Sequence, residues 1–529
     1  MSSSFQTEYL SPKPRRPVGS HLNRAPNQSP SRISDGIGSG RATPVPHDAP
    51  PSVHATSSAR KTIRAQQKHR LFPTIDYAAR VSHFDPKSEH RDFSGFFVLF
   101  WVGLAIMVIT AMLRNLKETG YPLVIRQWPV LTEKLFELAL SDLLMVASSA
   151  LSLPLHKMYT GVKILRWSRL GMPLQSLFQT AWLLFWVNWP FLRIWSWTSQ
   201  VFFTLHLLSI FMKMHSYAFY NGHLSTTRRR LNDLDRPDGA SRAKAYRYPG
   251  RTQRLHDLNA EHEPSKEEQL GQLREDLAHE LTSSLGNVTY PQNLTIANYV
   301  DFLFCPTLCY ELEYPRMPET DFMELFYKTL AVFGCIFLTT LTTEEFVLPV
   351  LDESAIRMTG IASFSEGFLI MAESISRLLF PFMVLFLLVF LIIFEYVLGA
   401  FAEITRFADR QFYSDWWNSC DWLEFSREWN IPVHHFFRRH VYVASRIYVS
   451  KSAATGITFL VSALAHELVM GCITKKLRGY GFTMMMLQMP IVMIQRSRLL
   501  RGRTLLNNVL FWCSMILGLS MICALYVLL

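Results

Sequence analysis

From Ser94 onward the chain returns repeatedly to apolar runs, each about 20 residues long, the length a helix needs to cross the hydrocarbon core of a bilayer. Within lipid a run of that length must satisfy every backbone N–H and C=O inside the segment, so it folds as a helix. About nine such runs are legible, approximately 94 to 113, 134 to 155, 174 to 190, 192 to 217, 324 to 349, 368 to 401, 453 to 473, 480 to 497 and 506 to 528. The third and fourth are divided only by Asn188, Trp189 and Pro190, which read as a turn. The expected fold class is all-α: a polytopic membrane protein with about nine transmembrane helices. Composition agrees, because 49% hydrophobic and 18% charged residues over 529 positions is too apolar for a soluble domain carrying so polar a tail.

That tail is residues 1 to 92, rich in Ser, Pro, Arg and His and without apolar periodicity; it reads as a disordered cytosolic segment with no h-region of a cleaved signal. Its GIGSG at 36 to 40 has no strand or helix beside it and reads as linker. Residues 93 to 529 then form one transmembrane catalytic domain, interrupted by a long cytosolic loop at 219 to 323, within which residues 242 to 276 read as solvated or partly helical and without chemistry. The net charge of +11 does not point to nucleic acid, since the basic residues sit in the tail and beside the apolar runs, where they act as topology signals and meet anionic lipid. With the tail in the cytosol, 156 to 169, 219 to 323, 402 to 452 and 495 to 503 fall on that side and are basic, while TKKLRG at 474 to 479 violates the rule. The sequons at Asn287 and Asn293 lie on the cytosolic side of this topology and are expected to be unmodified. The seven cysteines show neither zinc spacing nor a disulfide framework; Cys305 and Cys309 read as packing residues, and no metal is expected.

Ionisable groups inside spans are costly and face a partner or a cavity. Glu373 and Arg377, one turn apart, read as a structural ion pair. In SALAHELVMG, His466 is open to two readings: a satisfied core histidine, or a general base on a polar strip shared with Ser462 one turn earlier. The segment from FYSDWWN at 412 to 418 through REWNIPVHHFFRRHVY is also open to two: an aromatic interfacial belt with surface cations, or a surface for adenine, pantetheine and phosphates.

FYSDWWN, REWNIPVHHF at 427 to 436 and the intramembrane His466-Glu467 pair together resemble the membrane-bound O-acyltransferase family, in its sterol and diacylglycerol branch. FCPTLCYELEYPR at 304 to 316 and KKLRGYGFTMMMLQMP at 475 to 490 resemble the fungal sterol enzymes more than the diacylglycerol enzymes. The resemblance runs from about residue 93 to the C-terminus; HELVMG departs from the HEY of the animal enzymes, which bears on acceptor packing. It implies His466 and Asn430 as catalytic residues and Trp429, His434, Tyr442, Lys451 and Ser462 as acyl-CoA contacts. It also implies Gln488 as a cavity residue and, in Phe412, Tyr413, Asp415, Trp416, Trp417 and Asn418, an aromatic platform at the mouth of an acyl-CoA tunnel, with Asp415 and Asn418 fixing the turn by local hydrogen bonds. The activity implied is transfer of a long-chain acyl group from acyl-CoA to a sterol, with diacylglycerol as the alternative acceptor. Acyl-CoA is then a substrate and no cofactor is needed; a multi-pass endoplasmic reticulum location and a dimer or tetramer are implied as well. Two rivals remain: a covalent route through Cys420 or Cys472, each without an obvious neighbouring base, and a transporter, for which internal repeats or broken helix pairs are wanting.

Overall fold

The structure, a computed structural model, describes residues 72–84 (except 74 and 76), 94–123, 128–235, 266–360, 363–498, 500 and 502–529. All nine apolar runs are helical. They lie in α1 (Ser94–Thr119), α2 (Trp128–Gly161, interrupted at 133–134 and 150–151), α3 (Met172–Leu192), α4 (Trp197–Leu234), α7 (Phe322–Thr359), α8 (Phe364–Thr405), α11 (Lys451–Thr474), α12 (Tyr480–Gln495) and α13 (Thr504–Leu528). Between them stand α5 (Lys266–Glu280), α6 (Ile296–Phe304), α9 (Trp422–Glu428) and α10 (Ile431–Phe436). Among the described residues there are isolated bridges but no strand, so the all-α class stands.

Six of these helices (α1, α2, α7, α8, α11 and α13) are long and apolar enough to cross a membrane, which makes the chain a multi-pass membrane protein and is fewer than the nine spans expected. The physical reasons differ for the other three. The 16 residues of α12 fall short of the roughly 20 needed to span. Helix α3 carries Gln175 and Gln179, both buried, among Trp182, Trp186 and Trp189. Over its 38 residues α4 runs through the protein interior, with Phe203, Leu207, Met214 and Tyr217 buried alongside Lys213, Ser216 and Asn221, so other helices rather than lipid cover it. By contrast α1 leaves Phe96, Leu99, Ile106 and Leu113 exposed, the faces that hydrocarbon covers.

The division between the third and fourth runs also moves. Helix α3 continues through Pro190 to Leu192, and the turn lies at residues 193–196, where Ile194 takes a φ of 52°. Helix starts follow local chemistry: Asp321 caps α7 by accepting from Met323 N and Glu324 N, Ser363 caps α8 at Glu366 N, and Ser450 caps α11 at Ala453 N.

Two segments outside the apolar runs are packed as well. In the long loop most of the stretch read as solvated, residues 242–265, lies outside the described set; Cys305 and Cys309 are buried, as their packing reading expects, together with Tyr310, Leu312 and Tyr314. Lys213 holds this segment from α4, its Nζ donating to the carbonyls of Phe302 (3.0 Å), Cys305 (2.6 Å) and Thr307 (2.7 Å). Asn293 is buried and donates to Asn221 Oδ1 at 2.7 Å and Tyr310 Oη at 2.9 Å, which leaves no room for a glycan. The expectation of a disordered tail to residue 92 does not hold over residues 72–84, because that stretch finds partners far along the chain. Phe72 packs on Tyr220 and His223; the Tyr77 hydroxyl meets Thr307; Ala78 N and Arg80 Nη2 donate to Asp409 at 3.2 and 2.6 Å. Residues 1–71 lie outside the described set.

Glu373 and Arg377 are paired, but their stronger partners are on α7: Arg377 reaches Glu353 at 2.7 Å and Arg357 reaches Glu373 at 2.9 Å, against 3.9 Å between Arg377 and Glu373. This structural reading of the pair holds as a four-residue network.

Candidate active site

His466 sits on α11 with its ring exposed, so it is not a packed core histidine. Its Nδ1 is 2.8 Å from the carbonyl of Ser462, one turn earlier. A carbonyl only accepts, so Nδ1 carries the proton and Nε2 keeps its lone pair, the tautomer a base needs. The contribution of Ser462 here is its backbone, which the same-face reading of its hydroxyl did not anticipate.

Glu467 does something else. Its carboxylate accepts from Gly479 N (2.7 Å), Phe482 N (3.0 Å) and the Tyr526 hydroxyl (2.9 Å), tying α11 to the start of α12 and to α13. Three donors on one carboxylate make it a fixed joint beside the exposed histidine.

FYSDWWN and the Trp429-Asn430 dipeptide lie side by side, because Ser414 N donates to the Glu428 carbonyl (2.8 Å) and Ile431 N to the Phe412 carbonyl (3.0 Å). Asn430 caps α10, its Oδ1 accepting from Val433 N at 3.1 Å. With the oxygen so used, the Nδ2 donor is the half of the amide left to act on a substrate. Trp416 is buried at the centre of an aromatic cluster, edge-on to Trp429 at 5.0 Å, while Trp429 stacks on Phe386 at 4.6 Å. Trp417 offers its carbonyl to Asn508 Nδ2 (3.0 Å) and Trp512 Nε1 (3.1 Å) of α13. Asp415 accepts from Ser414 Oγ at 3.0 Å and its carbonyl takes Asn418 N at 2.9 Å, contacts that stay inside the heptad. Phe412 and Tyr413 are buried as well.

Helix α10 continues through a π-helical turn, Phe437–Tyr442, which packs against α11 and so brings the element bearing Asn430, His434 and Tyr442 against the one bearing Lys451, Ser462 and His466. Among the hydrogen bonds of the described residues none links Asn430 to His466. His434 and Tyr442 are half-buried, Lys451 is exposed in the first turn of α11, and Gln488 is half-buried on α12, where its Nε2 meets Met485 Sδ at 3.4 Å. Burial, then Arg427 and Arg438, depress the His434 imidazolium to about 4, so this ring is neutral at pH 7 and can only hydrogen-bond. Burial, with Asp415 and Glu424 nearby, pushes the Glu428 carboxyl up to about 7.

The covalent alternative loses ground here. Burial and the neighbouring Glu424, Asp421 and Glu428 raise the Cys420 thiol, the opposite of activation, and Cys472 is buried on α11. Sequence reasoning named Glu467 without its joining role and missed Asn508 and Trp512; Asn508 carried a usable signal, an amide inside an apolar run.

Residues 181–528 match the model of MBOAT, the membrane-bound O-acyltransferase family, a stretch that contains every residue of this site. The chain belongs to the membrane-bound O-acyltransferase family. It is 41% identical to "Probable sterol O-acyltransferase 2" of Schizosaccharomyces pombe over 472 residues, covering 89% of this chain and 93% of that one. It is 33% identical to "Sterol O-acyltransferase 2" of Saccharomyces cerevisiae, covering 86% and 69%. A "Diacylglycerol O-acyltransferase 1" of Dictyostelium discoideum is 35% identical, over only 45% of this chain and 37% of its own length. The α10–α11 pair and the heptad beside it lie inside the matched stretch, and the segment 72–84 lies outside it.

Proposed function

We propose that the chain is a sterol O-acyltransferase, moving a long-chain acyl group from acyl-CoA to the 3β-hydroxyl of a sterol. The observation that carries the acceptor is coverage: the sterol relatives match across most of the chain and the diacylglycerol relative across less than half. A thioester is already activated, so the protein has to position the sterol hydroxyl, take its proton and steady the oxyanion. His466 Nε2 accepts the hydroxyl proton as the oxygen attacks the thioester carbonyl. Asn430 Nδ2 donates to the developing oxyanion. The C–S bond then breaks, and the imidazolium returns its proton to the departing CoA sulfur. Trp429, His434, Tyr442, Lys451 and Ser462 hold acyl-CoA in this reading, with Lys451 meeting phosphate at the water-exposed end of α11. Bilayer burial keeps out water that would otherwise hydrolyse the thioester. We place the protein in the endoplasmic reticulum membrane as a dimer or tetramer, with acyl-CoA entering from the cytosol and sterol from the lipid.

The test is an acceptor panel with labelled oleoyl-CoA and purified protein. A 3β-hydroxysterol is expected to be esterified much faster than diacylglycerol, and faster than its 3α-epimer, whose hydroxyl misses the attack position. A preference for diacylglycerol, or equal rates for both epimers, would overturn the sterol assignment and leave the family untouched. Lys451→Ala is expected to raise the KM for acyl-CoA while leaving kcat near wild type, since a phosphate contact is made equally in ground and transition states. A collapsed kcat at unchanged KM would move Lys451 into the chemistry.

A further inference from the structure

We infer that Ser82, Glu395 and Tyr413 form a latch by which residues 77–84 position the FYSDWWN heptad, and through it Asn430; this rests on the reaction proposed above.

Glu395 is buried at a π-helical turn of α8, Leu391–Val397, which turns its carboxylate toward the heptad. Oε2 accepts from the Ser82 hydroxyl at 2.5 Å and from the Tyr413 hydroxyl at 3.0 Å, and the two hydroxyls are themselves 3.0 Å apart. Oε1 faces Lys328 Nζ at 3.3 Å. Lys328 reaches it across Gly399, where a Cβ would stand 2.9 Å from Nζ, so the glycine keeps the passage open. The carboxylate is thus held by a cation on one side and accepts from two hydroxyls of distant parts of the chain on the other.

The rest of the segment lies on the same surface. The Arg80 backbone bonds Ala408 and Arg410 at 3.0 and 2.9 Å, and its guanidinium pairs with Asp409. His83 and Phe84 rest against Tyr413 and Trp417 at ring separations of 5.6 to 6.3 Å. Tyr413 is flanked in sequence by Phe412 and Ser414, whose backbone atoms make the two hydrogen bonds to Ile431 and Glu428 on either side of Trp429-Asn430. Freeing the Tyr413 ring therefore loosens the ribbon that fixes where the Asn430 amide points. Ser82 touches none of the proposed reacting atoms, so it is a positioning residue. Its loss acts on the transition state, where the Asn430 donor matters, rather than on acyl-CoA binding.

The experiment uses the full-length chain with Ser82→Ala, Ser82→Thr and Tyr413→Phe, read by steady-state kinetics and by amide hydrogen exchange of peptides covering 412–433. Ser82→Ala and Tyr413→Phe are expected to lower kcat about tenfold, the scale of one hydrogen bond to a charged group, with the KM for acyl-CoA little changed. Exchange at Ser414 and Ile431 should quicken in both. Ser82→Thr, which keeps the hydroxyl, should restore both readouts, and the double variant should cost less than the product of the singles because both act on Glu395. Unchanged exchange, a raised KM at intact kcat, indistinguishable Ala and Thr variants, or loss of folded protein with Ser82→Ala would each overturn the latch. Exchange is independent of turnover, so an inactive wild type would refute the proposed reaction while exchange still judged the latch.

Discussion

His466→Ala is expected to leave a protein that extracts and elutes as wild type but turns over roughly 10²- to 10⁴-fold more slowly, the usual cost of losing a general base. The ring is exposed and its one described hydrogen bond goes to its own helix, so truncation removes no packing on which the fold depends. Steryl ester formation from labelled oleoyl-CoA measures the effect. Near wild-type turnover in well-folded protein would remove His466 from the chemistry. Glu467→Ala is the instructive contrast: it frees Gly479 N, Phe482 N and the Tyr526 hydroxyl, and should show first as lost stability. A clean kcat effect at unchanged melting temperature would contradict that division of labour within the pair.

Asn430 calls for a substitution that separates its two halves. Alanine would remove the helix cap as well as the amide, and a cap alone is worth about 0.5–2 kcal/mol. Asn430→Asp keeps an oxygen for Val433 N and so keeps the cap, but replaces the Nδ2 donor with a second acceptor. The expected result is an intact melting temperature with kcat lowered on the order of 10²- to 10³-fold, as for loss of an oxyanion donor. Retained turnover would mean that Asn430 serves only as a cap. A fall in stability equal to that of Asn430→Ala would mean that the cap does not survive the exchange.

The sequence alone sufficed for whatever depends on local composition. Nine apolar runs gave nine helical segments because a stretch of about 20 apolar residues has few alternatives. The order of FYSDWWN, Trp429-Asn430 and His466-Glu467 sufficed to indicate the family, since each motif is contiguous. The tertiary structure decided what depends on partners far along the chain. Ser82 meets Glu395 across 313 positions and Tyr413 across 331, and nothing in the polar, proline-bearing sequence around Ser82 announces a buried carboxylate waiting for it. Cys305 and Cys309 read as packing residues, but what holds their stretch in the core lies far away in sequence: Lys213, inside α4, satisfies the carbonyls of Phe302, Cys305 and Thr307. Whether α4 meets lipid or protein was likewise invisible, since an apolar run looks the same to both solvents and only its neighbours decide which one covers it.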